Sequence, residues 1–231
     1  MGWAGFRFGT GYAISEPVSY SCIDVAFMVK PISEIRRPEI VQAAIAAIRE
    51  HGIAMPNYDK IAAQANMSRQ LVRHYFPNPE DLMLAVCDTL AAAYRNLLMA
   101  GILQNNNAQR LPTFLDFYFG FLEEKGLFKP QDDAIYDAMF ALAATSKTVR
   151  DNLHDQYHEL QHAIAHEVQI SNPTLSQNAC REIGFLFVSL MYGHWKMVAN
   201  LGFSPKYNAV SRSALDRLVE SYLQRYDDED A

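Results

Sequence analysis

The sequence predicts an all-α protein with a small N-terminal unit and a larger C-terminal helical unit. Apolar residues recur at helical spacing along most of the chain, and no run shows the alternation typical of a strand. The chain has 231 residues, of which 50% are hydrophobic, enough for one large or two smaller helical cores. We predict that residues 31–80 form the small N-terminal helical unit and residues 81–226 the larger C-terminal helical unit.

Charge and cysteine usage limit the possible function classes. Residues 1–85 carry eight basic and eight acidic residues, so the net charge of −6 lies in residues 86–231. An acidic excess there would not oppose a phosphate backbone at the N-terminal unit. The three cysteines form no CxxC pair, which is typical of a reduced, cytoplasmic compartment and gives no metal or disulfide signal.

The two ends of the chain are predicted to lie outside the fold. Residues 1–30 have no helical period, and they lack the basic segment and apolar run of a secretory signal. We expect a disordered extension. The segment that begins at Met28 looks like a natural start of the protein. Residues 1–27 therefore either belong to the native protein or reflect a start codon assigned too early. Residues 227–231 are expected to form a solvated acidic tail.

The stretch 57–81 is predicted to form two short helices joined by a tight turn. Asn57 and Ser68 are good N-caps, and Asn66 tolerates the left-handed conformation that often ends a helix. The second helix exposes polar residues that suit a major groove, since arginine can pair with guanine and glutamine with adenine. An ordinary helical hairpin with a polar outer face is the alternative. These exposed residues are Arg69, Gln70, Arg73 and His74.

Residues 36–85 resemble the N-terminal domain of TetR-type transcriptional regulators. The resemblance rests on RRPEIVQAAIAAIREHG, IAAQANMS and HYFPNPEDL, which match a first helix ending before a glycine, an IA..AG(V)S turn and a YxxFxxKxxL run. Four positions depart from the family pattern. Asn66 replaces the turn glycine, Gln70 a small glycine, and Arg73 a common tyrosine. Pro79 replaces a lysine, which removes one phosphate contact.

The resemblance implies that residues 31–80 are a helix-turn-helix DNA-binding domain and residues 81–226 a ligand-binding and dimerisation domain. It implies a cytoplasmic homodimer that binds a palindromic DNA operator and a small-molecule effector, and we expect a repressor. It implies no cofactor and no membrane association. Since GxSxG, HExxH and HxE…CxxC motifs are absent from the sequence, we expect no enzymatic activity. A helical ligand-binding or scaffolding protein without specific DNA binding is the alternative, favoured by Pro79 and the neutral N-terminal unit.

The DNA contacts are predicted from the same stretch. Arg69, Gln70 and Arg73 are the candidates for base edges, and the candidates for phosphate contacts are Asn57, Ser68, His74 and Tyr75. Arg36 and Arg37, at the start of the first helix, disfavour the helix dipole. They suit either a nearby DNA backbone or a solvated helix terminus.

In addition to the two short helices, seven further helices are predicted. They cover residues 35–51, 79–103, 112–124, 129–146, 149–170, 175–201 and 207–226. The run Ile183–Met191 is the most apolar in the chain but too short for a membrane span, so we expect a buried or interface helix. By the resemblance, Leu175–Leu201 and Tyr207–Tyr226 are assigned to a four-helix dimer interface. An intramolecular core helix is the alternative. Gly184 would let another helix approach closely.

Large side chains on the middle helices either fill the core or line an effector cavity. Apolar pockets with a few polar tips are typical of ligand sites, and the resemblance favours such a pocket. The helix 79–103 touches both units by sequence order, so a ligand that tilted it would change the separation of the recognition helices. The predicted lining residues are Tyr94, Phe114, Tyr118, Tyr136, Met139, Phe140 and Trp195.

Four histidines recur at every fourth position: His154, His158, His162 and His166. Two imidazoles at this spacing on a helix can hold zinc or nickel. At ~100° per residue, the histidines lie roughly 80–200° from the centre of the helix's apolar stripe. We therefore expect a solvated polar face and assign no metal site, with a metal or proton sensor as the alternative. The apolar stripe consists of Leu153, Tyr157, Leu160, Ile164 and Val168.

Overall fold

The computed structural model describes residues 32–51, 57–104, 110–123, 127–128 and 132–229. No strand occurs among these residues, in agreement with the predicted all-α class. The predicted N-terminal extension lies outside them. A π-helical turn, Lys196–Asn200, follows the eighth helix directly. The helices are α1 (Ile32–His51), α2 (Tyr58–Gln64), α3 (Arg69–Tyr75), α4 (Pro79–Gln104), α5 (Arg110–Tyr118), α6 (Asp133–Ala143), α7 (Lys147–Ser171), α8 (Gln177–Trp195) and α9 (Tyr207–Glu229).

Helix α1 packs against α2, α3 and α4 and forms the base of the N-terminal unit. It begins at Ile32, earlier than predicted, so Arg36 and Arg37 lie in its second turn rather than at its first residues. The predicted end, Gly52, lies outside the described residues. The buried stripe contains the predicted residues because they recur at helical spacing. These are Ile40, Ala44, Ile45 and Ile48.

Helix α4 contributes to both hydrophobic cores of the chain. Its N-terminus is stabilised by Asn78, whose side-chain oxygen accepts a hydrogen bond from the Glu80 amide at 3.1 Å. The first half of α4 packs with the N-terminal unit, and the second half packs with the C-terminal helices. The helix therefore connects the two units without a break, as its predicted length suggested. The buried residues are Leu82, Met83, Val86, Cys87 and Leu90 in the first half and Tyr94, Leu98 and Ile102 in the second.

Residues Pro79–Ile102 of α4 are also long and apolar enough to cross a membrane, with a mean hydropathy of 1.3. Core helices of soluble proteins can be equally long and apolar. Here α4 packs against α1, α5 and α7, which cover part of its apolar surface. No other helix of the described residues has this combination of length and hydropathy.

The boundary between the two hydrophobic cores does not fall at residue 80. The first core joins α1, α2 and α3 to the first half of α4, and it also includes Ile135 and Met139 of α6 and Val149 and Leu153 of α7. The second core joins the distal half of α4 to α5, α7, α8 and α9. Since α6 and α7 pack into the first core, the N-terminal unit does not pack alone. The domain boundary at residue 80 stays a prediction.

The C-terminal helices differ from the predicted ranges mainly at their ends. Helix α5 ends at Tyr118, and Gly120 follows with a φ of 78°, which an α-helix does not allow. Helix α6 ends at Ala143 because Ser146 already caps α7 by accepting from the Val149 amide at 3.3 Å. The predicted helix 175–201 is divided into α8 and the π-helical turn, and Gly202, with a φ of 69°, follows it.

The apolar run on α8 has an inner and an outer face. Its buried residues are Ile183, Phe187 and Met191, whereas Phe185 is 59% and Leu186 38% exposed. Gly184 faces α7, where an added Cβ would lie 2.6 Å from the backbone oxygen of Gln161. The glycine therefore permits close packing of α7 against α8, and the closely approaching helix that its small size predicted belongs to the same chain.

Candidate DNA-binding surface and effector cavity

The turn between α2 and α3 is fixed by local hydrogen bonds. Asn57 caps α2 by accepting from the Asp59 amide at 2.9 Å, and Ser68 caps α3 by accepting from the Leu71 amide at 3.2 Å. Asn66 has a φ of 51°, the left-handed conformation that asparagine tolerates better than most residues. The predicted caps and the predicted turn conformation are therefore present, and they set the angle between the two helices.

Helix α3 exposes a polar and positively charged face. The four predicted residues on this face, Arg69, Gln70, Arg73 and His74, are all exposed, while Val72 is fully buried. One guanidinium nitrogen of Arg69 lies 3.3 Å from a carboxylate oxygen of Asp59. Both side chains of this ion pair are more than half exposed, so the pair contributes little stability and can be exchanged for another partner.

Arg37 holds the C-terminal end of α3. It donates a hydrogen bond to the backbone oxygen of Tyr75 at 2.7 Å, and its guanidinium lies 4.1 Å from the centre of the Phe76 ring. Arg36 instead pairs with Glu39 on the same helix at 2.7 Å. Both arginines thus have partners within the protein, and Arg37 holds the end of α3 in place. The sequence offered no signal for this contact, because the residues are 38 positions apart.

Tyr75 differs from the other predicted DNA contacts in its surroundings. Its side chain is half-buried and packs against the first hydrophobic core, and its backbone oxygen is bound by Arg37. Asn57 and Ser68 are exposed, although each uses its side-chain oxygen as a helix cap. His74 is exposed and contacts the edge of the Tyr75 ring, with 5.2 Å between the ring centres.

A cavity of about 240 Å³ lies between α4, α5, α6, α7 and α8. Most of its wall is aromatic or aliphatic. The rings of Tyr94, Tyr118 and Trp195 form the centre of this wall, with 6.1–6.3 Å between their centres. The structure thus brings together five of the seven predicted lining residues. These five are Tyr94, Phe114, Tyr118, Tyr136 and Trp195.

Two predicted lining residues lie elsewhere. Met139 is fully buried in the first hydrophobic core, where its sulfur lies 3.1 Å from that of Cys87. Phe140 contacts Tyr157 and Tyr192 and lines a separate cavity between α6, α7 and α8. These two residues therefore do not line the cavity that contains Tyr94, although Phe140 and Tyr136 both contact Tyr157.

Helix α7 supplies cavity residues that the sequence pattern did not indicate. Tyr157 and Leu160 line the wall, and both belong to the apolar stripe that predicted only core packing. Glu159 also lines the cavity, and its carboxylate lies 3.8 Å from Arg95 on α4. This ion pair is largely exposed, with side-chain exposures of 61% and 71%. The polar groups of the wall therefore include one acidic and one basic side chain.

Buried hydrogen bonds orient the central rings. The Tyr94 hydroxyl donates to Asp132 at 2.9 Å, and Asp132 is itself only 1% exposed. The Trp195 indole N–H donates to the backbone oxygen of Tyr118 at 2.9 Å. Burial raises the pKa of the tyrosines around the cavity above the ordinary value, and the Asp132 carboxylate raises the pKa of Tyr94, Tyr136 and Tyr157 further. These phenols are therefore neutral, and the Tyr94 hydroxyl is a hydrogen-bond donor.

The four histidines on α7 are exposed, as the sequence predicted. Their contacts are unequal. The Nε2 atoms of His158 and His162 lie 3.1 Å apart, and the His154 ring stacks on His158 with 5.6 Å between ring centres. His166 lies 3.9 Å from the carboxylate of Glu167. Within the described part of the chain, no group of three or more His, Cys, Asp or Glu residues could hold a metal ion.

The described helices form an N-terminal helix-turn-helix followed by a helical bundle. Residues 40–86 match the model of the family described as bacterial regulatory proteins, tetR family. A comparison with curated proteins found no match. Residues 40–86 are therefore similar to a TetR-type helix-turn-helix domain, and the fold of the described chain resembles that of TetR-type regulators.

Solved structures show the same fold over most of the chain. A TetR transcription regulator from Haloarcula marismortui ATCC 43049 is 18% identical with a TM-score of 0.68, covering 82% of this chain and 98% of its own. A transcriptional regulator from Pseudomonas aeruginosa PAO1 is 19% identical with a TM-score of 0.66, covering 87% and 98%. The multidrug binding protein EbrR complexed with ethidium is 20% identical with a TM-score of 0.60, covering 79% and 98%.

Proposed function

We propose that the chain is a cytoplasmic, homodimeric repressor that leaves a palindromic operator when a small molecule occupies the aromatic cavity. The observation that carries this proposal is the course of α4. Its first half packs with the helix-turn-helix, and its second half places Tyr94 in the cavity wall. A ligand that changes the position of Tyr94 therefore acts on the helix that supports the DNA-binding unit.

The exposed face of α3 supports the DNA contacts. We assign the contacts with base edges to Arg69, Gln70 and Arg73. The phosphate contacts are assigned to four other residues. Operator half-sites are spaced about one helical turn, ~34–36 Å, or a multiple of it, so a few ångströms of mismatch should weaken binding. The proposed phosphate contacts are Asn57, Ser68, His74 and Tyr75.

The cavity supports a flat, lipophilic cation as the effector. Aromatic faces attract cations, and the cavity wall contains the aromatic rings of Tyr94, Tyr118 and Trp195. The buried carboxylate of Asp132, one hydrogen bond behind Tyr94, adds negative potential on the same side. EbrR, whose fold is similar, was solved with ethidium and with malachite green, both of which are aromatic cations.

The outer faces of α8 and α9 support dimerisation. Phe185 and Leu186 on α8 and Val210 on α9 are exposed apolar residues, with 59%, 38% and 55% of their surface accessible. Light scattering on the full chain should give the mass of a dimer. Phe185→Glu places a charge on this face and should yield a monomer with reduced operator affinity. A dimeric mass for Phe185→Glu would assign the interface to another surface.

The DNA proposal is tested by titrating the DNA that flanks the gene, alongside random DNA. Arg73→Ala should lose about 1–3 kcal/mol of specific binding and relax the preference at one base per half-site. Arg49→Ala is the matched control, since it removes an exposed arginine of α1 instead. Unchanged affinities of Arg73→Ala for both DNAs would reject the role of Arg73. Equal affinity of the wild type for both DNAs would favour a helical protein without specific DNA binding.

The effector proposal is tested with malachite green as the probe. Calorimetry without DNA measures binding to the protein, and operator titrations with and without the dye measure release. Tyr94→Ala and Trp195→Ala should blunt release while leaving dye-free DNA binding largely intact. Phe128→Ala, an exposed aromatic residue outside the cavity, is the control. If both cavity variants release DNA at the wild-type dye concentration, the effector site lies elsewhere.

A further inference from the structure

His158 and His162 form a close imidazole pair on the solvent-exposed face of α7. Their Nε2 atoms are 3.1 Å apart, and their ring centres are 4.3 Å apart. We propose that this pair chelates one divalent metal ion of the nickel, copper and zinc group, with water completing the coordination shell. The spacing in the sequence put the two residues on one face, but only the structure brings their Nε2 atoms into reach of a common ligand.

The separation of the two nitrogen atoms fits a shared ion. Metal–imidazole bonds are about 2.0–2.1 Å long, so two nitrogens on one ion lie roughly 2.9–3.4 Å apart for bond angles between octahedral and tetrahedral. The observed 3.1 Å falls within this interval. The same distance is that of a hydrogen bond between the two rings, so the Nε2 proton moves to Nδ1 of its own ring when both nitrogens bind the ion. Neutral imidazole nitrogen suits nickel, copper and zinc, and the order of affinity for such ligands places copper above the other two.

The neighbouring side chains restrict the chelate to these two histidines. The Nδ1 atom of His154 lies 3.1 Å from the carboxylate of Asp155. Glu159, next to His158 in the sequence, lies against Arg95. His166 is a full helical turn beyond His162 and is near Glu167, which already accepts two hydrogen bonds from Arg110. The chain therefore supplies two ligands, and the remaining positions are open to water.

The position of the pair connects the ion to the rigidity of α7. The turn between His158 and His162 carries Leu160, which lines the aromatic cavity on the opposite face of the helix. The chelate across this turn can form only when the turn is helical. Metal binding therefore stabilises the folded chain. The pair lies outside the DNA-binding surface and the cavity, so this inference does not depend on the proposed function.

Calorimetric titration of the untagged full chain with nickel chloride tests the proposal. We expect one ion per chain, and an affinity lower by roughly tenfold or more in His158→Ala and in His162→Ala, because the second imidazole binds intramolecularly. His166→Ala is the matched control, since it removes an equally exposed histidine of the same helix and should retain wild-type affinity. All three substitutions are on the exposed face, and circular dichroism checks that the helices remain.

Two results would overturn the proposal. One is the absence of saturable nickel binding by the wild-type chain. The other is an equal loss of affinity in His158→Ala, His162→Ala and His166→Ala, which would mean that separate surface histidines hold ions one at a time. A wild-type melting temperature that rises with nickel, and does not rise in His158→Ala, would support the chelate independently of calorimetry.

Discussion

Substitution of Arg37 distinguishes a role inside the protein from a contact with DNA phosphate. Alanine removes both the hydrogen bond to the Tyr75 backbone oxygen and the contact with the Phe76 ring. A hydrogen bond to a charged group contributes ~1.5–3 kcal/mol and an exposed cation–π contact ~0.5–1 kcal/mol. Because Arg37 is exposed, solvent screening reduces both, and we expect a loss of about 1–2 kcal/mol in the free energy of unfolding. Arg37→Lys should lose nearly as much, since an ammonium cannot reproduce a planar group stacked on a ring.

The salt dependence of operator binding separates the two roles. If Arg37 acts only by holding α3, both substitutions lower affinity by the same factor at every salt concentration. A phosphate contact would instead reduce the slope of log K against log salt by ~0.9 per contact, or ~1.8 for two copies of Arg37, in the alanine variant only. A reduced slope in Arg37→Ala that Arg37→Lys restores would refute the positioning role.

Three further outcomes follow from local geometry. Gly184→Ala should destabilise the chain by about 1–3 kcal/mol, because its Cβ would overlap the Gln161 backbone oxygen. Gly193→Ala is the control and should not destabilise the chain, because nothing lies within 4 Å of the added atom. Thermal melting compares the two variants. Asn66→Ala should cost ~1 kcal/mol in denaturant unfolding through its left-handed φ, and Asn66→Gly should cost less. Burial raises the folded-state pKa of cavity tyrosines such as Tyr94, so the neutral phenols stabilise the fold fully below pH ~10, and stability should fall as pH rises further, measured by denaturant titration.

The helix-turn-helix was predictable because its determinants are local. The caps at Asn57 and Ser68 and the conformation of Asn66 depend on residues within a few positions, and each is found where the sequence indicated. The contact between Arg37 and the end of α3 was not predictable, because it joins residues far apart in the chain. Helix ends at Gly120 and Gly202 also depend on conformations that a glycine permits but does not require.

The cavity was predictable in composition but not in its full outline. Aromatic residues on four predicted helices indicated a pocket, and five of them line it. Periodicity alone could not separate cavity from core on the same helix. Met139 follows Tyr136 by nearly one turn yet faces α4 and α1, while Tyr157, read as a core residue, reaches the cavity wall. The distinction depends on how α6 and α7 are rotated in the bundle, which only the packed structure reveals.

The packing also changes the interpretation of α4 as the single connection between cavity and DNA-binding unit. Helix α6 packs against α1, and its Met139 contacts Cys87 of α4. The same helix carries Tyr136 into the cavity wall and Asp137 into an ion pair with Lys196 of the π-helical turn. In the proposed mechanism, a ligand against Tyr136 and Trp195 would act on α6 as well as on α4, a route that sequence order could not indicate. Loss of the effector response in Tyr94→Ala but not in Tyr136→Ala would assign transmission to α4, and the reverse pattern would assign it to α6.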